Sequence, residues 1–172
     1  GSKRVYLNKT EINEFLEKAR AESPYWIFWV LGFHTGARKS EIMALKYEDI
    51  NFDSQEIRFE RKLEVRDNGK PEFGEPKTEN SKRTISAKKG LLDAIKKWRS
   101  EQEEKKNELG DAWKNDHDLI CTTEIGTPIR NIRRDLRNLK EEVEIDSEKL
   151  EYFSIHDMRH THASLILNNA PE

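Results

Sequence analysis

Two side chains in this protein could hold a phosphate and move a proton together. The stretch SIHDMRHTHAS, residues 154–164, puts His156 three positions before Arg159 in a segment that reads as helix. Residues at that spacing lie on one helical face. A guanidinium presents a planar fork that matches phosphate oxygens, and an imidazole takes or gives a proton near neutral pH. By itself H-x-x-R is a common word in helices. Its weight comes from two basic positions far upstream, Arg38 and Lys77, and from the residues around them.

The elements that must position these groups can be read from pattern. Thr10 is a capping residue for a first helix, with Ile12, Phe15, Leu16 and Ala19 as its apolar stripe. Ser23-Pro24 signals a second start. The run YWIFWVLGF, Tyr25 to Phe33, is apolar all round and predicts a helix buried at the domain centre. Gly36 ends it as a left-handed cap. A short helix follows from about Lys39 to Lys46 with Ile42, Met43 and Leu45 inward, so Arg38 sits in a tight, stiff junction.

The pattern then alternates. Asn51-Phe52, Glu56 to Val65, Pro71 to Lys77 and Lys82 to Ser86 carry strand formers, around the turn signal Asp67-Asn68-Gly69 and the polar loop Thr78 to Ser81. They predict a small antiparallel three-stranded sheet, with Lys77 at the rim of its last hairpin. Ala87 to about Lys106 reads as a long helix with Leu91, Ile95 and Trp98 inside, ending in the solvated charge run EQEEKKNE. Asp118 to Cys121 suggests a short extended piece. Pro128 opens another helix whose core stripe is Ile129, Ile132, Leu136, Leu139 and Val143. Arg130, Arg133, Arg134 and Arg137 form a separate basic stripe at i, i+3, i+4 and i+7. The last helix carries the opening motif, with Met158 and Leu165 on the face away from His156 and Arg159. The class is α+β and mostly helical, without internal repeats or a long linker.

Composition narrows the function. At 172 residues the chain is one domain with room for a core. Charged residues are 37% of it, against about 25% in an average globular protein, so the surface is heavily charged. Net charge is -2, so nucleic-acid binding must rest on a local basic face. The single Cys121 excludes an internal disulfide framework and suits a reducing, cytoplasmic setting. No apolar run reaches the roughly 18 residues that crossing a membrane needs. Gly1-Ser2 reads as a scar from an expression tag, which leaves 3–172 as the domain.

The words TGARKSEI (35–42), PKTENSKRTI (76–85) and HDMRHTHASLIL (156–167) occur in that order. Together they closely resemble the catalytic domain of tyrosine recombinases, the integrases of phages and conjugative elements, from about Val5 to the end. The resemblance implies site-specific DNA strand exchange through a covalent 3′-phosphotyrosyl intermediate, without metal or other cofactor. By that resemblance Arg38 is the first arginine of the site, Arg159 the second, His156 the histidine before it, and Lys77 the mobile hairpin lysine. Glu41, one turn beyond Arg38, would orient that arginine. Lys82 is the nearest rival to Lys77, and His160 and His162 read as packing or hydrogen-bonding residues.

One departure stands out. The family places a second His or Trp and then the nucleophilic tyrosine well beyond H-x-x-R. Here Tyr6, Tyr25, Tyr47 and Tyr152 all precede Arg159. The expectation is a truncated catalytic domain, lacking the N-terminal core-binding domain and the C-terminal tyrosine segment, and inactive alone. The expected partner is double-stranded DNA at a recombination site, bound in full-length form as a homo-oligomer, a tetramer, with the arginine stripe at 130–137 touching phosphates. Two other readings compete. One is a non-catalytic helix-turn-helix module over Leu31 to Lys46. The other is a metal-dependent phosphohydrolase using His156, His160 and His162, against which Arg159 would set a positive charge beside the ion.

Overall fold

The structure, a computed structural model, describes residues 4–76, 78 and 81–168, with side chains through His162 in the last helix. In chain order the elements are α1 (Lys9–Glu22), α2 (Trp26–Thr35), α3 (Lys39–Met43), β1 (Ile50–Asn51), β2 (Glu56–Phe59), β3 (Lys62–Val65), β4 (Pro71–Gly74), β5 (Arg83–Ser86), α4 (Lys89–Leu109), α5 (Ile132–Glu142), α6 (Ser147–Tyr152) and α7 (Asp157–Asn168). The α+β class is as expected. The chain divides into two compact units, one of residues 1–39 with 131–172 and the other of residues 40–130.

The first unit is helical. Its first helix is capped by Asn8, not Thr10. The Asn8 side chain accepts from Glu11 N–H at 2.8 Å, and the Glu11 carboxylate accepts from Asn8 N–H at 2.9 Å, a reciprocal box that satisfies two otherwise orphaned donors. In α2 every residue from Ile27 to Phe33 is buried, as the all-round apolar run predicts. Phe15 on α1 meets Trp29 and Phe33 edge-on at 5.3 and 5.4 Å, and Phe33 stacks on Phe153 at 6.1 Å. Full burial of one such side chain contributes about 1.5–3 kcal/mol before chain entropy is counted.

A carboxylate on α5 is sunk into this core. Asp135 on α5 is buried and accepts from Ser23 Oγ at 2.6 Å and Trp29 Nε1 at 2.8 Å. It therefore binds α5 to both the α1–α2 turn and α2. The predicted helix from Pro128 is corrected here: α5 starts at Ile132 with Asn131 as its cap, Asn131 Oδ1 accepting from Arg134 N–H. Pro128 instead pairs with Thr122 in an isolated bridge, which holds Ile129 and Arg130 outside the helix. The short α6 has no signal in the apolar pattern. Asp146 caps it, Lys149 reaches Glu11 at 2.5 Å, and Glu144 N–H reaches Glu14 at 2.8 Å.

In the second unit, β1, β2 and β5 form the three-stranded antiparallel sheet, with Ile57 opposite both Ile50 and Ile85. The strand expected over Glu56 to Val65 is two strands. β3 pairs with β4 in a separate ribbon. Between β2 and β3, Arg61 turns its fork onto Asp49 at 2.6 and 3.1 Å and onto Ala44 O. β4 ends at Gly74, short of Lys77. α4 packs Leu91, Leu92, Ile95 and Trp98 inside. Beside them Gln102 accepts from Tyr47 Oη and donates to Ile120 O and Thr122 Oγ1. Leu119, in the expected extended piece, bridges to Lys46. Cys121 is fully buried, and burial pushes its thiol far up, away from the reactive thiolate. Among the described residues no helix is long and apolar enough to cross a membrane.

Asp135→Ala should strip a buried indole N–H of its acceptor and cost about 1–3 kcal/mol, because an orphaned buried donor bears its full desolvation penalty. The shift of the urea unfolding midpoint measures it. Ser23→Ala, which removes a part-exposed donor, should cost less.

Candidate active site

The end of α2 fixes the first arginine. The helix stops because Gly36 adopts φ +66°, a left-handed conformation that L side chains rarely take. Its N–H still reaches Gly32 O at 3.0 Å. Ala37 N–H turns aside to Thr35 Oγ1 at 3.2 Å, and that hydroxyl donates back to Leu31 O at 2.7 Å. The Phe33 carbonyl, which a continuing helix would have satisfied, accepts instead from His162 Nδ1 on α7 at 3.2 Å. Arg38 follows two residues after Gly36 and is exposed.

The start of α7 fixes the second. Asp157 is buried and accepts from Ser154 N–H at 2.8 Å and Ser154 Oγ at 3.1 Å. His156 lies in the turn just before the helix, so the two motif residues are not both helical as expected. They stay one turn apart, because Arg159 N–H donates to His156 O at 3.3 Å. Arg159 is half-buried and His156 exposed. The His156 ring meets His160 edge-on at 5.2 Å, and His160 in turn meets Tyr6 at 6.4 Å. Leu7 N–H donates to Thr161 Oγ1 at 3.3 Å, which ties the chain beside Tyr6 to α7. Met158 is buried on the opposite face, as predicted; the side chain of Leu165 lies outside the described residues.

The two helices meet where these arginines are mounted. A Cβ placed on Gly36 would lie 2.6 Å from His162 Cδ2. His162 is three residues past Arg159, and Gly36 two residues before Arg38. The backbone anchors of both arginines therefore flank a single contact between the C-terminus of α2 and the first turns of α7. Lys77 lies outside the described residues. Its rival Lys82 pairs with Glu75 at 2.9 Å. Glu41, expected to orient Arg38, is buried and accepts from Arg83 at 2.7 and 3.4 Å. Arg83 lies inside the second sequence word, and nothing in the spacing links it to Glu41.

Of the arginine stripe, Arg133, Arg134 and Arg137 are on α5, exposed and without a side-chain ion pair among the described residues. Arg130 precedes the helix. Its guanidinium lies 2.7 Å from where a Cβ on Gly69 would sit, against the β3–β4 turn. On α5 the Lys140 ammonium is pulled down by burial, an effect opposed by the Asp157 carboxylate.

This packing sets the backbones of both arginine positions beside one α2–α7 contact. It does not suit the competing readings. His162 is engaged with Phe33 O, so the three histidines do not form one donor set. Among the described residues no three metal-ligating side chains are grouped to hold an ion. The helix-turn-helix reading lacks a recognition helix, because α3 has five residues and Glu41, Ile42 and Met43 are buried.

Burial holds the His162 pKa below its ordinary 6.5, partly offset by the bond to Phe33. Its neutral form is therefore favoured in the fold. The unfolded chain binds the proton more readily, so stability falls as pH drops below about 6.5 and the loss is complete below the folded value. His162→Phe should flatten that limb of a stability-versus-pH curve measured by urea unfolding.

Residues 6–171 match the phage integrase family. The chain is 30% identical over 148 residues to a XerC-like tyrosine recombinase of Caldanaerobacter subterraneus subsp. tengcongensis, covering 79% of this chain and 37% of that protein. It is 32% identical over 154 residues to the ICEBs1 integrase of Bacillus subtilis, covering 84% and 38%. It thus spans less than two fifths of the length of these relatives. Its fold is similar to that of the Tn1549 transposon integrase in complex with transposon right end DNA, with TM-score 0.76, 18% identity, and coverage of 100% of this chain and 56% of that one. It is also similar to the XerA recombinase, with TM-score 0.71, 18% identity, and coverage of 100% and 54%. At that identity the structural likeness speaks for the fold alone. The family match, spanning both arginine words and everything between them, is what assigns the chain: it belongs to the phage integrase family of tyrosine recombinases.

Proposed function

We propose that this domain holds the scissile phosphate of a double-stranded DNA site during site-specific recombination. The single observation that supports this reading is the packing of the α2 C-terminus on α7 at Gly36 and His162, which brings the mounts of Arg38 and Arg159 together. The relatives' names point the same way: one is an integrase and another a tyrosine recombinase.

In this reading a tyrosine hydroxyl attacks the phosphorus and the bond to the 5′ oxygen breaks. Negative charge gathers on the non-bridging oxygens, and Arg38 and Arg159 neutralise it from two helix ends. His156 donates to the phosphate or carries the tyrosine proton, as its exposure at the head of α7 allows. Lys77 protonates the leaving 5′ oxygen. Arg130, Arg133, Arg134 and Arg137 make phosphate contacts along the duplex. The working form is a tetramer on DNA in the bacterial cytoplasm.

In a form of the protein that carries the nucleophilic tyrosine, Arg159→Ala should lower the cleavage rate on the order of 100- to 1000-fold while most duplex binding survives. Reversing Arg133, Arg134 and Arg137 to Glu should do the opposite. Binding should weaken, and the slope of log affinity against log salt should shrink by about 0.9 for each phosphate no longer neutralised. A gel-based cleavage assay and fluorescence anisotropy read the two arms. Cleavage indifferent to Arg159 would overturn the clamp.

A further inference from the structure

His162 is the one histidine of the H-x-x-R-H-x-H stretch that faces into the α2–α7 contact. Three observations meet on it. Its ring occupies the space that only glycine leaves at position 36, with Cδ2, Cγ and Cβ at 2.6, 2.9 and 3.1 Å from a Cβ placed there. Its Nδ1 lies 3.2 Å from Phe33 O. And that carbonyl has been left without a helical partner because Ala37 N–H goes to Thr35 Oγ1. A carbonyl only accepts, so Nδ1 carries the hydrogen and the neutral ring is fixed in one tautomer.

We infer that His162 is the positioning residue of the phosphate clamp, acting through the backbone of α2 to set where Arg38 stands relative to Arg159. This role rests on the clamp reading above. The ring is a wedge and the Nδ1 hydrogen bond a pin. The wedge stops the left-handed turn at Gly36 from closing further onto α7, and the pin stops the last turn of α2 from sliding along it. Arg159 belongs to the same rigid helix as His162, one turn earlier. The distance between the two arginine mounts is therefore set by one side chain that touches neither the phosphate nor the reacting atoms.

Two substitutions separate the pin from mere filling. His162→Leu keeps bulk and loses the donor. His162→Asn keeps an N–H at nearly the reach of Nδ1 and loses the ring. Inorganic phosphate is the probe, titrated into the full chain at low salt and followed by NMR, with urea midpoints measured alongside to establish that each variant is folded. The expected result is about tenfold weaker phosphate affinity in His162→Leu, the loss when one charge-assisted donor no longer reaches the anion. His162→Asn should recover most of it, whatever the order of the two variants in stability. A folded His162→Leu that binds phosphate like the wild type, or a His162→Asn that binds no better than His162→Leu, overturns the role of His162 and leaves the clamp standing. A wild-type chain that ignores phosphate overturns the clamp itself, and this role with it.

Discussion

The helical unit depends on a place where a side chain is forbidden. Gly36 must be glycine twice over, because its φ of +66° disfavours a Cβ and because the His162 ring already fills the space one would occupy. That close approach lets α2 end hard against α7. It also leaves the Phe33 carbonyl in need of a donor, which His162 supplies. Termination of one helix, registry of another and the mounting of an exposed arginine thus become a single problem with a single solution.

The rest of the unit stiffens that solution. α2 is buried on all sides by aromatic contacts from α1 and from Phe153, so it cannot rotate to accommodate a change at its end. Asp135 pins α5 to it, and the same helix turns Arg133, Arg134 and Arg137 outward. The Asp157–Ser154 bonds fix the first turn of α7. In each case a buried polar group is matched by donors with no spare capacity. Removal of either partner is costly for that reason, and such sites specify one arrangement more than they add stability. The second unit uses the same device with Arg61 on Asp49 and Arg83 on Glu41.

Much of this is legible from pattern. The run Tyr25 to Phe33 announces a buried helix because it has no polar face, and Gly36 announces its end. The strands β2 and β5 follow from alternation. What pattern misses has a common cause. Asn8 outcompetes Thr10 as cap because Glu11 sits three residues after Asn8 and can answer it, a pairing the stripe of apolar residues does not reveal. The break between β2 and β3 falls where Arg61 meets Asp49, and the buried Glu41 is met by Arg83. Both are long-range ion pairs that local spacing cannot encode. The helix expected from Pro128 is too long because proline opens helices and bridges alike. Of the candidate site, the motif words single out Arg38, His156 and Arg159, and the family resemblance supplies the roles proposed for them. The part played by His162 is invisible at that level, because a histidine in a helix looks the same whether it packs, binds metal or holds a carbonyl.

Whether Arg38 and Arg159 serve one phosphorus can be measured directly. The side-chain Nε–H resonances of both arginines, assigned with Arg→Lys variants, are followed by NMR as inorganic phosphate is titrated into the chain at low salt. If the two forks grip one anion, both resonances move together and fit a single affinity. If one moves while the other stays still, or if they fit two unrelated affinities, the two arginines do not share a phosphate and the clamp does not exist.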